Sequence, residues 1–203
     1  MDDGKTPLGL AVGVAFLFCF TQVVSAAQTC NSFIPSANNA FRYSDLGDSS
    51  FLDNQTGLIW QKCSIGQNWN LGTSQCDDSA DEMTWSQALQ SVVDFNQKQA
   101  NLGAASDWYL PNIKELFSTT SLNCDNPALN ELYFQPVYSP TAIYWSSTPH
   151  LSVTGSLAVN GSGQYTTTRF IWGMEIKHGS IGPYKADSTQ HVRLVRNGMS
   201  LMP

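Results

Sequence analysis

The chain has 203 residues, 42% of them hydrophobic and only 13% charged, with a formal net charge of −6. That length supports one well-buried core and is short for two comfortable domains. With lysine and arginine scattered and no basic patch, the acidic balance disfavours nucleic acid and other polyanions as partners.

Lys5 leads into an apolar stretch from Leu8 to Val24, followed by the small residues Ser25-Ala26-Ala27. This order predicts a secretory signal over residues 1–27 and a single domain over 28–203. Asp2 and Asp3 stand where a basic region is expected, which keeps an uncleaved anchor as the alternative, against which Thr21 and Gln22 argue. Cleavage would remove Asp2, Asp3 and Lys5 and take the formal charge from −6 to about −5. No later stretch is long and apolar enough to cross a bilayer. The expected location is secreted, periplasmic or cell surface.

From Phe41 to Cys63 the pattern alternates short extended runs with turns. Phe41-Arg42-Tyr43, Phe51-Leu52-Asp53 and Leu58-Ile59-Trp60 read as strands, separated by Gly47-Asp48-Ser49-Ser50 and Asn54-Gln55-Thr56-Gly57. The polar segment from Cys63 to Cys76, with Trp69 near its middle, reads as a loop. Thr84-Trp85-Ser86-Gln87 is a capping box, and Trp85, Ala88, Leu89, Val92 and Phe95 recur at helical spacing, so a helix from Thr84 to about Leu102 should pack one face on a sheet. Gly103 ends it.

Leu110-Pro111-Asn112 closes an extended segment, because proline forces the preceding residue out of the helical region. Asn112 and Glu115 then form a second capping-box pair, and Leu116 and Phe117 supply the buried side of a shorter helix. Asp125-Asn126-Pro127 marks a turn. Strand-like runs follow at 143–147, 156–160, 167–176 and 191–196, with Asn160-Gly161-Ser162-Gly163 as a hairpin loop. Helices in the middle and strands at both ends predict an α+β fold.

Loss of Cys19 with the signal leaves Cys30, Cys63, Cys76 and Cys124, an even set suited to two disulfides in an oxidising compartment. Zinc is the weaker reading, since there is no Cys-x-x-Cys pair and His150, His178 and His191 lie apart. Four cysteines allow three pairings. Cys63 with Cys76 is expected because they flank a short polar segment, and Cys30 with Cys124 because that link would tie down the mature N-terminus.

Taken in order, Thr56-Gly57-Leu58-Ile59-Trp60, Cys63-Ser64-Ile65-Gly66-Gln67, the Trp85 helix, Asp107 to Leu116, Tyr144-Trp145-Ser146-Ser147-Thr148 and Val192-Arg193-Leu194-Val195-Arg196 resemble the Lcl C-terminal domain family. This family of mostly bacterial secreted domains is named after a collagen-like adhesin of Legionella. The resemblance covers nearly all the mature chain. It implies a fold similar to C-type lectins and formylglycine-generating enzymes, with small twisted antiparallel sheets, two flanking helices and pairing of N- and C-terminal strands. It also implies an adhesion role, the namesake binding sulfated glycans. Two departures stand out: Tyr109 replaces the arginine of the family's Trp-Arg-Leu-Pro motif, and Gly47-Asp48-Ser49-Ser50 lacks the second glycine of its Gly-Asp-Gly-Thr turn.

Ligand-binding candidates are Trp69, Asp77, Asp78, Asp81 and Glu82. The four acids could offer oxygen ligands to calcium, against the plainer reading of solvated surface charge. Asp45, Asp48 and Asp53 form a weaker set with turn capping as the alternative. An exposed tryptophan can stack on a sugar face, and Trp69 lies outside the periodic segments that make Trp60, Trp85, Trp108, Trp145 and Trp172 core candidates. Arg193 and Arg196 point to opposite faces by strand alternation, so one is expected to pair with a carboxylate.

Catalytic residues are not expected. No serine sits in a Gly-x-Ser-x-Gly elbow, and nothing after Cys124 can supply the cysteine pair of the formylglycine-generating relatives. No resident cofactor is expected beyond the calcium possibility. The expected function is a lectin-like binding or adhesion module for a carbohydrate or extracellular protein ligand. The alternative is a non-catalytic structural or assembly component of the envelope or a surface appendage.

Overall fold

Apolar runs of three or four residues, each closed by a turn, build most of this molecule. The structure is a computed structural model and describes residues 28–35, 41–135, 142–151, 158–159, 165–166 and 168–198. In chain order the elements are β1 (Thr29–Cys30), β2 (Tyr43–Asp45), β3 (Ser50–Asp53), β4 (Leu58–Gln61), β5 (Asn68–Asn70) and β6 (Gln75–Asp77). Helices α1 (Trp85–Asn101) and α2 (Ile113–Ser118) follow, then β7 (Cys124–Asp125), β8 (Ile143–His150), β9 (Ala158–Val159), β10 (Tyr165–Thr166), β11 (Phe170–Glu175), β12 (Ser180–Lys185) and β13 (Val195–Asn197). These make small antiparallel sheets, two helices and two disulfides. The expected signal over 1–27 and the Asn160–Gly163 loop lie outside the described residues.

The central sheet has the order β13-β4-β3-β2, so the last strand returns to an early one, with Val195 opposite Trp60. The first strand does not join it; β1 pairs with β7 instead. A second sheet has the order β12-β11-β8. Strand alternation puts Trp60 and Val195 into one core cluster with Tyr43, Phe51, Phe134 and Tyr144, while Ile59 and Leu194 enter another with Trp108, Leu110 and Trp145. The central sheet is therefore covered on both faces, which is why all four residues of β4 are buried.

Both helices start at the expected caps. Thr84 accepts from Gln87 N and the Gln87 side chain returns to the Thr84 amide; Asn112 and Glu115 repeat the arrangement in α2. The buried faces are narrower than expected. Helix α1 packs by Trp85, Ala88, Val92 and Phe95, leaving Leu89 at 39% exposure one residue round from the stripe. Leu116 is buried, but Phe117 is 42% exposed, since a helix of 6 residues packed on one side leaves the next position facing out.

Three other expectations shift. The Cys63 to Cys76 segment is a hairpin, with Trp69 opposite Cys76 across β5 and β6, rather than an irregular loop. The last predicted strand begins only at Val195; residues before it run extended and bond singly, Val192 O accepting from Ile65 N and Leu194 O from Gln61 N. Strand β12 was hidden by Gly182 and Pro183. It lies at a sheet edge, where a residue without an N–H is tolerated.

The Gly47 turn closes without a second glycine. Asp48 Oδ1 accepts from Ser50 N at 2.7 Å and Ser50 Oγ at 2.6 Å, and Ser49 is not among the residues of positive φ. The side chain thus does what an extra backbone freedom would otherwise do.

Candidate functional site: a cleft between the disulfide hairpin and helix α1

After β4 the chain leaves through Lys62 and Cys63, makes the β5–β6 hairpin, and returns beside its point of departure. The Cys63–Cys76 disulfide closes the hairpin, and Asp81 N donates to Ile65 O at 2.9 Å to bring the exit and return segments together. Gly66 makes that approach possible. Its φ is +93°, and a Cβ there would lie 2.5 Å from Asp81 N. Met83 then pairs with Gln190, and Thr84 starts α1.

Between the hairpin base and the side of α1 carrying Asp94, Phe95 and Lys98 lies a cleft of about 560 Å³. Met83, Ile65, Trp69 and Phe95 give it apolar walls, while Asp81, Gln67, Asn68 and Gln99 add polar groups. Gln61 also lines it. This residue is 7% exposed, and its side-chain amide has no hydrogen-bond partner among the described residues. The residue is buried, but its amide atoms are not among the buried unpaired ones, so the amide opens on the cleft, where an incoming polar group can take the place of water.

Trp69 is half-buried and contributes to the same cleft. Lys62 Nζ sits 4.4 Å from the ring centroid on one face, and the register opposite Cys76 sets the indole beside the disulfide. The indole therefore packs against the hairpin and lines the cleft at once. Its Nε1 is buried without an acceptor among the described residues. Lys62 is fixed by Asp45 Oδ1 at 2.8 Å and Asp48 O at 2.7 Å, and its hydrogen bond holds the Asp45 carboxyl below the usual carboxylate range.

The acidic candidates separate. Asp77 accepts from Asn70 Nδ2 at 2.7 Å and Asp78 from Asn68 Nδ2 at 2.9 Å, bracing the hairpin. Glu82 faces His191 Nε2 at 3.7 Å and accepts from Thr189 Oγ1. Only Asp81 of the four lines the cleft. Among the described residues no three carboxylates, histidines or cysteines come together as a metal-binding group. Asp45 and Asp48 serve Lys62 and the Gly47 turn, and Asp53, fully buried, pairs with Arg42 at 3.1 Å.

Of the tryptophans, Trp60, Trp108 and Trp145 are buried, while Trp85 and Trp172 are only partly so, the latter meeting the His150 ring edge-on at 4.6 Å. Both terminal arginines are buried, with different partners. Arg193 is held by oxygens that carry no charge: Gln61 O at 3.0 Å, Gln135 O at 2.6 Å and Lys62 O. Arg196 is the one that meets a carboxylate, Asp107 at 3.9 Å, and lies over the Trp108 ring at 5.2 Å.

Sequence reasoning missed Gln61 and the α1 wall. A glutamine ending the apolar run Leu58-Ile59-Trp60 is a signal for the first. The second shows in Ser91, Asp94, Phe95 and Lys98, which share a helical face beside the packed stripe.

A domain of small antiparallel sheets, closed by two disulfides and carrying an amide- and aromatic-lined cleft, is the class that these features define. The family model described as the Lcl C-terminal domain matches residues 49–196, and the chain belongs to that family. No curated protein matches the chain.

Proposed function

We propose that this protein is a secreted or cell-surface lectin-like module that binds a carbohydrate or extracellular matrix component in the cleft between the hairpin and α1, without catalysis. The open Gln61 amide beside the aromatic walls carries this reading. Sugars are recognised by pairing hydroxyls with amides and carboxylates while an apolar ring face rests on aromatic or aliphatic carbon, and the cleft offers both kinds of surface. A C-type-lectin-like fold is supported by the return of β13 to β4, the two helices flanking the sheets and the two disulfides. The disulfides also support an oxidising location, and no helix among the described residues is long and apolar enough to cross a membrane.

A glycan and matrix-protein binding screen on the oxidised protein, with and without calcium and at two salt concentrations, tests the reading. Retention by at least one glycan or matrix protein, abolished by filling the cleft through Ser91→Trp, is expected. A blank screen in every condition would overturn it.

A second reading, a structural or assembly component of the envelope or an appendage, draws on a shallow apolar groove of about 410 Å³ lined by Phe117, Leu122 and the buried Arg42. Co-purification with envelope proteins, lost in Phe117→Ser and without any glycan retention, would favour it.

A further inference from the structure

Resting on the glycan reading above, we propose that the cleft contains an acetamido subsite in which Gln61 and the Trp69 indole N–H recognise the N-acetyl group of an uncharged amino-sugar oligomer. The Gln61 side chain has one carbonyl acceptor and an NH₂ donor, neither with a partner among the described residues, on a residue 7% exposed. Trp69 Nε1, closed to solvent and unpaired among the described residues, can only donate, and a tilt of the ring on ligand entry is needed to present it to the cleft. An acetamido group is complementary to this pair: its carbonyl accepts, its N–H donates to the Gln61 oxygen, and its methyl needs apolar contact. Met83, Ile65 and Phe95 supply that contact in the same cleft.

A hydroxyl would satisfy fewer of these groups and leave the apolar wall uncovered. Sulfate fits less well. Lys98 is the only cation among the described residues lining the cleft, and Asp81 and Asp94 outnumber it. The nearby Lys62 ammonium is already committed to Asp45, the Asp48 carbonyl and the Trp69 ring.

Calorimetric titration of the oxidised protein with N,N′-diacetylchitobiose, cellobiose and heparin tests the subsite, because the first two share a backbone and differ at the 2-acetamido and 2-hydroxyl groups. The acetamido sugar should bind at least about tenfold more tightly than cellobiose, as expected for the loss of paired polar contacts. Gln61→Leu should lower its affinity by about tenfold with the near-ultraviolet circular dichroism unchanged, and Trp69→Phe should lower it while keeping a ring in place. Saturation-transfer NMR should show the acetamido methyl as the most strongly saturated ligand group, a readout that does not depend on either variant folding. Equal binding of the two disaccharides, a methyl that is not saturated, or binding of heparin alone would overturn the subsite while leaving glycan binding intact. No binding to any of the three would overturn the subsite, and a blank glycan and matrix screen the reading on which it rests.

Discussion

The Tyr109 hydroxyl donates to Glu115 Oε1 across 3.1 Å, while Glu115 Oε2 accepts from the Asn112 amide at 2.8 Å. One carboxylate thus joins the strand before α2 to the cap of α2. Tyr109 also bridges to Val195, so this position ties the last strand to the helix start. Where the family's usual arginine would offer a charge, the tyrosine offers a neutral donor.

Tyr109→Phe should cost about 0.5–1.5 kcal/mol, the net worth of a hydrogen bond, with slightly more because its acceptor is charged. Urea unfolding at neutral pH measures it. Burial first, and then the Glu115 charge, push the Tyr109 hydroxyl up to about 12. The folded state therefore holds this proton more tightly than the unfolded chain, whose tyrosines titrate near 10. Its contribution is complete below about pH 10 and is lost as pH rises toward 12. Tyr109→Phe should weaken this alkaline loss, leaving the parts due to the buried Tyr43 and the partly buried Tyr184, whose hydroxyls burial also pushes up.

Arg42 and Asp53 form an ion pair with both side chains buried, and Arg42 also donates to Ser118 O. Breaking it from one side leaves a buried charge. Arg42→Met and Asp53→Asn should each cost about 3–5 kcal/mol, and the double variant should cost clearly less than their sum. A double-mutant cycle in denaturant unfolding checks this, and additive losses would show that the two residues act separately.

The two disulfides should differ in what they support. Replacing Cys63 and Cys76 by serine opens a loop with a sequence separation of 13 and should cost about 3 kcal/mol, with loss of binding in the cleft. Replacing Cys30 and Cys124, separated by 94, should cost about 4–5 kcal/mol while the cleft keeps its ligand. Thermal unfolding combined with ligand titration separates the two effects.

Gly66→Ala should destabilise by about 1–3 kcal/mol, because it adds a side chain at a positive φ and drives a methyl into the Asp81 backbone. Since the displaced residue lines the cleft, ligand affinity should fall with stability. A variant as stable as the parent would show that the return segment around Asp81 moves freely.

Local signals carried much of this fold. The caps at Thr84 and Asn112 place both helix starts, and the polar segment between Cys63 and Cys76 identifies their pairing. Leu89 and Phe117 escaped because periodicity gives the direction of an apolar stripe but not its width, which the neighbouring sheet decides. The cleft was only partly legible. Trp69 and Asp81 stood out by type, whereas Gln61, Asp94 and Lys98 gain meaning only when the hairpin folds back toward α1. Asp77, Asp78 and Glu82 look like neighbours of Asp81 in sequence, yet the hairpin and the turn after it direct them toward Asn70, Asn68 and His191.

Glycan binding in the cleft between the hairpin and α1 has a direct spectroscopic signature. Amide NMR titration of the ¹⁵N-labelled oxidised protein with N,N′-diacetylchitobiose tests it most directly, because the Trp69 indole N–H gives its own resonance. Shifts should concentrate on that indole, the Gln61 and Asn68 side-chain amides and the backbone from Asp94 to Gln99, saturating together. Shifts confined to the groove around Phe117 and Leu122, or an indole resonance that never moves at saturating sugar, would contradict it.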